Sequence, residues 1–308
     1  MNFEKKHQTK WSAITGLPIP ADRRGLYKTW AVPLIKLKLD RVRAALQTPE
    51  DVARLLAAST ESASCLYNCI PSSRDGTRLS DSALSLAVGL RLGVPVATPG
   101  VCACGAELDP LGDHALSCNR GVGRGARHKA LNEEVRSALN EAGHVCVLEP
   151  PGLTRTDGKR PDGVTVMPFE RGLPMAWDVT VVHTCAPSYL QVSAHEGGAV
   201  ATAAEVRKEA KYAPIGDRAT FRAIGIETLG AFGPSTSKLF DEIARLIRSR
   251  TGDVNARSHL YRRVAAAVQR GNAACVIEAH SRVGDVAPTL RALPNIITSG
   301  GTHRHAVR

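Results

Sequence analysis

A chain of 308 residues has room for two domains, and its 43% hydrophobic content is enough to build a full core. Forty Lys and Arg against twenty-nine Asp and Glu leave a net charge of +11, which favours a polyanionic partner, nucleic acid before an anionic membrane surface. No run approaches eighteen apolar residues, Met1-Asn2-Phe3-Glu4-Lys5-Lys6 leads into polar sequence rather than a secretory signal, and eight cysteines form no disulfide framework. The expectation is a reducing, intracellular setting with no membrane partner, where clustered cysteines read first as metal ligands.

Residues 1–98 read as a helical region. Leu34, Leu37, Leu39, Val42, Ala45 and Leu46 recur at near-helical spacing beside Lys36, Lys38, Arg41 and Arg43. Thr48-Pro49-Glu50-Asp51 has the form of a helix start, with Thr48 as cap and Pro49 at the first position. Ser80-Asp81-Ser82 opens a further apolar run through Leu90. Cys65 and Cys69 are spaced for one helix face, with no nearby ligand to complete a tetrad, and read as core thiols. After a Pro/Gly-rich break from Pro95 to Gly105, a helix is expected over 128–142, then strands over 144–148, 162–167 and 175–182. A turn over 168–172 separates the last two. A helix over 203–212 stopped by Pro214, a strand over 221–229, an amphipathic helix through Leu239, Phe240, Ile243, Leu246 and Ile247, and a basic Ala-rich helix with Arg257, Arg262, Arg263 and Arg270 follow. The order predicts an α/β domain with a mixed sheet over 125–275 and a flexible tail over 276–308.

Three constellations carry chemistry. Cys102-x-Cys104, His114 and Cys118 place four soft or borderline ligands within seventeen residues, the donor set of a closed structural zinc site, with Gly105 and Gly112 for the turns. His114 and Cys118 are four apart, so one helical turn presents both to one ion. The loop, 99–124, is so small that a metal would be its main stabiliser. Next, Arg127-His128-x-x-x-Asn132, with Arg120, Arg124 and Lys129 around it, reads as a basic helix start suited to phosphate. Third come Pro161-Asp162, Asp178-Val179-Thr180 and Glu205-x-x-Lys208-x-x-Lys211-Tyr212. Asp178 interrupts an apolar run, which is costly unless it is paired or binds a cation, and two carboxylates on adjacent strands make an oxygen site for Mg²⁺. Lys208 and Tyr212 share a helix face, and the lysine could orient water and stabilise charge on a phosphate. Gly152 to Gly158-Lys159 only imitates a phosphate loop: the spacing is one residue too long and Arg160 stands where Ser or Thr is required.

Taken in order, these residues resemble the restriction-like endonuclease at the C-terminus of some non-LTR retrotransposon proteins. Leu148-Glu149-Pro150-Pro151-Gly152-Leu153, Asp157-Gly158-Lys159-Arg160-Pro161-Asp162-Gly163, Glu227-Thr228-Leu229-Gly230 and the helical stretch from Leu84 to Gly93 are similar to the flanking text of that family, so the resemblance spans roughly residues 50 to 275. It implies a PD-(D/E)xK restriction-endonuclease-like core preceded by a CCHC zinc knuckle. By it, Asp162 and Asp178 hold catalytic Mg²⁺, and Cys102, Cys104, His114 and Cys118 hold structural Zn²⁺. Thr180 stands where much of the wider fold has its lysine, and in this branch the lysine lies on the following helix, at Lys208 with Lys211 as the alternative, beside Tyr212. Arg124, Arg127, His128 and Asn132 are the expected nucleic-acid contacts. The implied activity is DNA nicking in the nucleus to prime reverse transcription, with DNA and secondarily element RNA as partners. The polymerase motif (Tyr or Phe)-x-Asp-Asp is absent, so a polymerase domain is expected on a longer parent protein. A zinc-dependent nucleic-acid-binding module without cleavage uses the same residues and is the competing reading.

Overall fold

The computed structural model describes residues 3–20, 26–153, 158 and 160–281. Asp157 and Lys159, and residues 282–308 of the tail expected to be flexible over 276–308, lie outside them, whereas residues 276–281 are helical. The chain divides into two compact units, residues 1–52 and 53–308.

In the first unit, α1 (Phe3–Thr15) and α2 (Leu26–Ala45) meet through Trp11 and Trp30, whose rings lie 4.9 Å apart while the Trp11 indole donates to the Trp30 carbonyl at 2.9 Å. The expected helix start at Thr48 opens α3 (Pro49–Ala58): the Thr48 hydroxyl accepts the Asp51 N–H at 3.2 Å and donates to its carboxylate at 2.8 Å.

In the second unit α4 (Glu61–Ser64) is a single turn. The spacing of Cys65 and Cys69 suggests one helix face, but the helix ends before either, and each thiol donates to a carbonyl three residues back. Cys65 packs against the core, and burial pushes its thiol up to about 11. Ser80 caps α5 (Asp81–Leu92), which Gly93 ends in a left-handed conformation. Then come the two-stranded ribbon β1 (Gly100–Val101) and β2 (Glu107–Leu108), α6 (Asp113–Ser117), and α7 (Val122–Glu141). Helix α7 begins six residues before the expected start. The glycines that suggest a loop instead let helices touch: a Cβ on Gly123 would lie 2.6 Å from the Cys275 Cα.

Strands β3 (Cys146–Leu148), β4 (Gly163–Thr165) and β5 (Met175–Val182) are joined antiparallel. After α8 (Leu190–Ser193) and α9 (Ala199–Tyr212), strand β6 (Thr220–Glu227) returns parallel to β5, giving a mixed four-stranded sheet in sequence order. Helices α10 (Pro234–Thr251) and α11 (Ala256–Ser281) close the unit. The mixed α/β architecture thus matches the sequence reading, with β3 and β4 shorter than expected.

Strand β5 is buried on both faces, as a strand flanked by helices should be. Met175, Trp177 and Val179 join the core with Leu131, Val135 and Leu139 of α7 and with apolar residues of α10 and α11. Ala176 packs on the other side with Tyr212 and Ile215. Two buried glutamates fasten helix starts to this sheet. Glu227 accepts the Val200 N–H at 3.1 Å at the start of α9, and Glu205 accepts the Ser235 and Thr236 N–H groups at 3.0 and 2.8 Å at the start of α10. Burial raises both carboxyls despite these bonds. Glu205 therefore caps a helix and does not join Lys208 in one site.

The contact of α7 with α11 generates a matched test. Gly123→Ala should destabilise the protein by about 1–3 kcal/mol, because the methyl has only backbone to displace. Gly125→Ala, with nothing within 4 Å of the added Cβ, should be neutral or stabilising. Chemical denaturation of the two variants checks this, and equal effects would contradict the helix packing.

Candidate metal centres and basic cleft

The ribbon and α6 bring the four expected ligands together. Gly105 turns the ribbon with φ 91°, Cys102 donates its N–H to the Ala106 carbonyl at 2.8 Å, and Gly112, at φ 77°, precedes α6. The Asp109 carboxylate accepts the Asp113 and His114 N–H groups at 3.0 and 2.7 Å, fixing the turn that carries His114. The donor atoms of Cys102, Cys104, His114 and Cys118 all lie within 4.8 Å of one another. Cys102 Sγ is 3.7 Å from Cys118 Sγ, and Cys104 Sγ is 3.3 Å from His114 Nε2. A tetrahedron with Zn–S bonds of ~2.3 Å has S···S edges of ~3.8 Å, so the cluster has the size to hold a metal ion such as zinc.

The loop differs from expectation in one respect: it is not short of a core. Leu108, Ala115 and Leu116 are buried with Leu86 and Leu90 of α5 and Ala273 and Val276 of α11. Asp113 adds a polar tie, 3.2 Å from Arg54 Nη2 and 3.1 Å from His183 Nε2, whose other ring nitrogen is 3.0 Å from Thr228 Oγ1. Burial works against the Asp113 charge, but His183 and Arg54 outweigh it and hold the carboxyl below its usual range. The knuckle is thus docked on the sheet domain at the ends of β5 and β6.

The acids meet at β5. Asp162, just before β4, accepts the Val179 N–H at 2.6 Å, which places its carboxylate against the peptide next to Asp178. His128 Nε2 lies 2.8 Å from the same oxygen. Asp178, 4% exposed, bonds one oxygen to the Lys208 ammonium and the other to the Tyr212 hydroxyl at 2.6 Å. Lys211 instead lies 4.7 Å over the Tyr212 ring, so of the two candidate lysines Lys208 is the one on Asp178. Asp178 is thus paired with an ammonium and Asp162 with an imidazole, as burial demands.

Beside the acids is a cleft of about 230 Å³ lined by Arg124, Arg127, His128, Lys208 and the Val179–Val181 stretch, with no acidic side chain in its wall among the described residues. Thr180 faces it in place of a lysine. A larger hollow of about 430 Å³ touches the other side of Tyr212 but mixes charges, with Arg222 paired to Glu170 in its wall.

Three expected nucleic-acid contacts are placed differently from the sequence reading. His128 is in the second turn of α7, not at its start, so no free helix-start N–H groups surround it. Arg127 is 2% exposed, with Nη1 2.8 Å from Asn272 Oδ1 and Nη2 3.4 Å from the Leu116 carbonyl. Asn132 is 6% exposed and accepts the Trp177 indole N–H at 3.0 Å. Arg124 remains at the surface near Asn119. The basic helix α11 is mostly engaged within the molecule: Arg257 pairs with Glu61 and Asp241, Arg263 with Glu141, and Arg270 bonds the Arg78 carbonyl. The Trp177, Asp113–His183 and helix-capping contacts left no mark in the sequence, since each joins residues far apart in the chain.

Among the described residues no helix is long and apolar enough to cross a membrane. Compared with known proteins, the chain matches no family model, and no curated protein matches it.

The hydrogen bond and charge of Asp162 raise His128 above its ordinary 6.5, while burial, which alone would push Asp162 up, is outweighed by His128 and the Val179 N–H, so that carboxyl falls below 3.8. The raised histidine contributes stability fully present below 6.5 and lost as pH climbs through its folded value. The depressed acid contributes stability present above 3.8 and lost as pH falls. NMR titration of the protein with no Mg²⁺ added should give His128 a pKa above 6.5 that drops in Asp162→Asn. A native value at or below 6.5 would contradict the ion pair.

Proposed function

We propose that this chain carries a metal-dependent DNA endonuclease of the PD-(D/E)xK type, with a zinc knuckle docked on it. The observation that carries the reading is the meeting of Asp162 and Asp178 at one peptide of β5, with Lys208 on Asp178 and a basic cleft beside them. Two adjacent carboxylates form the oxygen donor set that suits Mg²⁺, and Asp162 and Asp178 would hold it. Bound there, Mg²⁺ would neutralise charge on the scissile phosphate and lower the pKa of a water. Lys208 brings a positive charge to the charge that builds as water adds to phosphorus and the P–O bond breaks. Tyr212 holds the second Asp178 oxygen and so fixes the plane of that carboxylate. Arg124, His128 and Lys208 line the path of the backbone, and Arg127 holds the cleft wall from behind. The order of motifs, from Cys102 through Tyr212, supports a place in a retroelement protein, where the nick would prime reverse transcription in the nucleus by a polymerase on a longer chain.

Supercoiled plasmid nicking with Mg²⁺ tests this. Asp162→Ala and Asp178→Ala should each abolish cleavage, with losses that do not add, because both loosen one ion. Lys208→Ala should cut the rate strongly with DNA still bound, and more than Lys211→Ala. That Asp162 is already bonded to His128 and Asp178 to Lys208 also fits a binding module without cleavage. Wild-type protein that binds DNA yet nicks none with Mg²⁺ or Mn²⁺ would establish that second reading.

Two further outcomes follow from the placement of the side chains. Arg124→Ala should weaken DNA binding and lessen its salt dependence, whereas Arg127→Ala should lower the melting temperature first, since its guanidinium is buried. Elemental analysis should find about one Zn²⁺ per chain, and Cys104→Ser should lose it. Because Leu108 and Leu116 share a core with α5 and α11, zinc loss should raise amide exchange over 100–118 and leave β5 protected.

A further inference from the structure

We infer that Asn132 is a positioning residue for the acid pair, its amide locked by the Trp177 indole so that it holds the His128 ring on Asp162, and that it makes no contact with nucleic acid. This rests on the endonuclease reading above.

The chemistry of the indole fixes the amide. An indole nitrogen can only donate, and Trp177 Nε1 lies 3.0 Å from Asn132 Oδ1, both groups buried. Turning the amide over would set two donors against each other inside the core, leaving both unsatisfied. The Asn132 Nδ2 group is therefore committed to the opposite side. There it lies 3.4 Å from each ring nitrogen of His128, whose Nε2 is 2.8 Å from Asp162. An amide equally far from both nitrogens packs on the face of the imidazole, and so limits how the ring, and the carboxylate bonded to it, can turn.

The lock is itself held tightly. A Cβ on Gly163 would lie 2.2 Å from the Trp177 ring, so only glycine at the head of β4 lets the indole occupy this place. Trp177 and Asp178 are neighbours on β5 that point to opposite faces, one to α7 and the other to α9. The strand thus sets Asp178 directly and Asp162 indirectly, through Trp177, Asn132 and His128. An asparagine 6% exposed with its acceptor spent on an indole has little left to offer a phosphate or a base edge.

The test uses the full, zinc-loaded chain with Asn132→Ala and Trp177→Phe, reading plasmid nicking, Mn²⁺ affinity by calorimetry, DNA affinity in EDTA and melting temperature. Groups that orient metal ligands typically change metal affinity or activity by about 10–100-fold. Both variants should lose Mn²⁺ affinity and kcat on that order, with KM and DNA affinity nearly unchanged and with the double variant no worse than the worse single one. Trp177→Phe retains an aromatic ring and removes the N–H, so it reports on the lock even where Asn132→Ala folds poorly. A fall in DNA affinity with kcat and Mn²⁺ binding intact would overturn the proposal and make Asn132 a nucleic-acid contact. Trp177→Phe with wild-type Mn²⁺ affinity and kcat would overturn the lock. Wild-type protein that neither nicks nor takes up Mn²⁺ would instead overturn the endonuclease reading, and this inference with it.

Discussion

Asp178 sits in a strand whose residues from Met175 to Val179 are all buried, and an isolated carboxylate cannot stay charged there without compensation. Its two oxygens take the Lys208 ammonium and the Tyr212 hydroxyl, one helical turn apart on α9. That requirement sets the register of α9 against β5. In buried pairs, removing one partner costs about 3–5 kcal/mol because a charge is left uncompensated. The crossover from β5 through α9 to β6 is anchored at its far end by Glu227, which accepts the Val200 N–H in the first turn of α9. The helix is thus fixed at both ends by carboxylates, one structural and one at the candidate site.

The opposite face of β5 carries the same logic with an apolar partner. Trp177 fills the space left by Gly163 and packs with α7, while its one polar atom must find an acceptor and finds Asn132. Through α7 the core reaches α11, where Gly123 and Gly271 allow the helices to touch and Arg127 lies between them. Helix α11 in turn forms one wall of the knuckle's core. The cysteine loop, the cleft and the acids therefore belong to one packed body rather than to modules on a flexible string.

Charge is distributed accordingly. A net +11 suggests a broadly basic surface, yet Arg54, Arg257 and Arg263 are paired with acids and Arg127 is buried. Among the described residues, the basic groups of the cleft beside the acids are Arg124, His128 and Lys208. A small concave region walled by cations concentrates potential more than the same charges spread over a surface.

Much of this was legible in the sequence. A continuous apolar run located β5, Pro214 the end of α9 and period-3.6 spacing α10, because those elements bury one run or one stripe and nothing else competes. The Cys/His cluster was legible because four soft or borderline donors lie within a single short loop, where spacing alone limits the geometry. The acids were legible as Asp178 in an apolar run and Asp162 after a proline. The start of α7 was not, since local propensity at Gly121, Gly123 and Gly125 opposes a helix that only contact with α11 makes favourable. Nor were the fates of Arg127 and Asn132, two polar side chains in a basic segment that tertiary packing turns inward. Local pattern determined which elements form and which residues can carry chemistry. Only the packing of α7, α9 and α11 around β5 decided which polar groups are buried and bonded to each other and which face the cleft, because burial is set by partners distant in the chain.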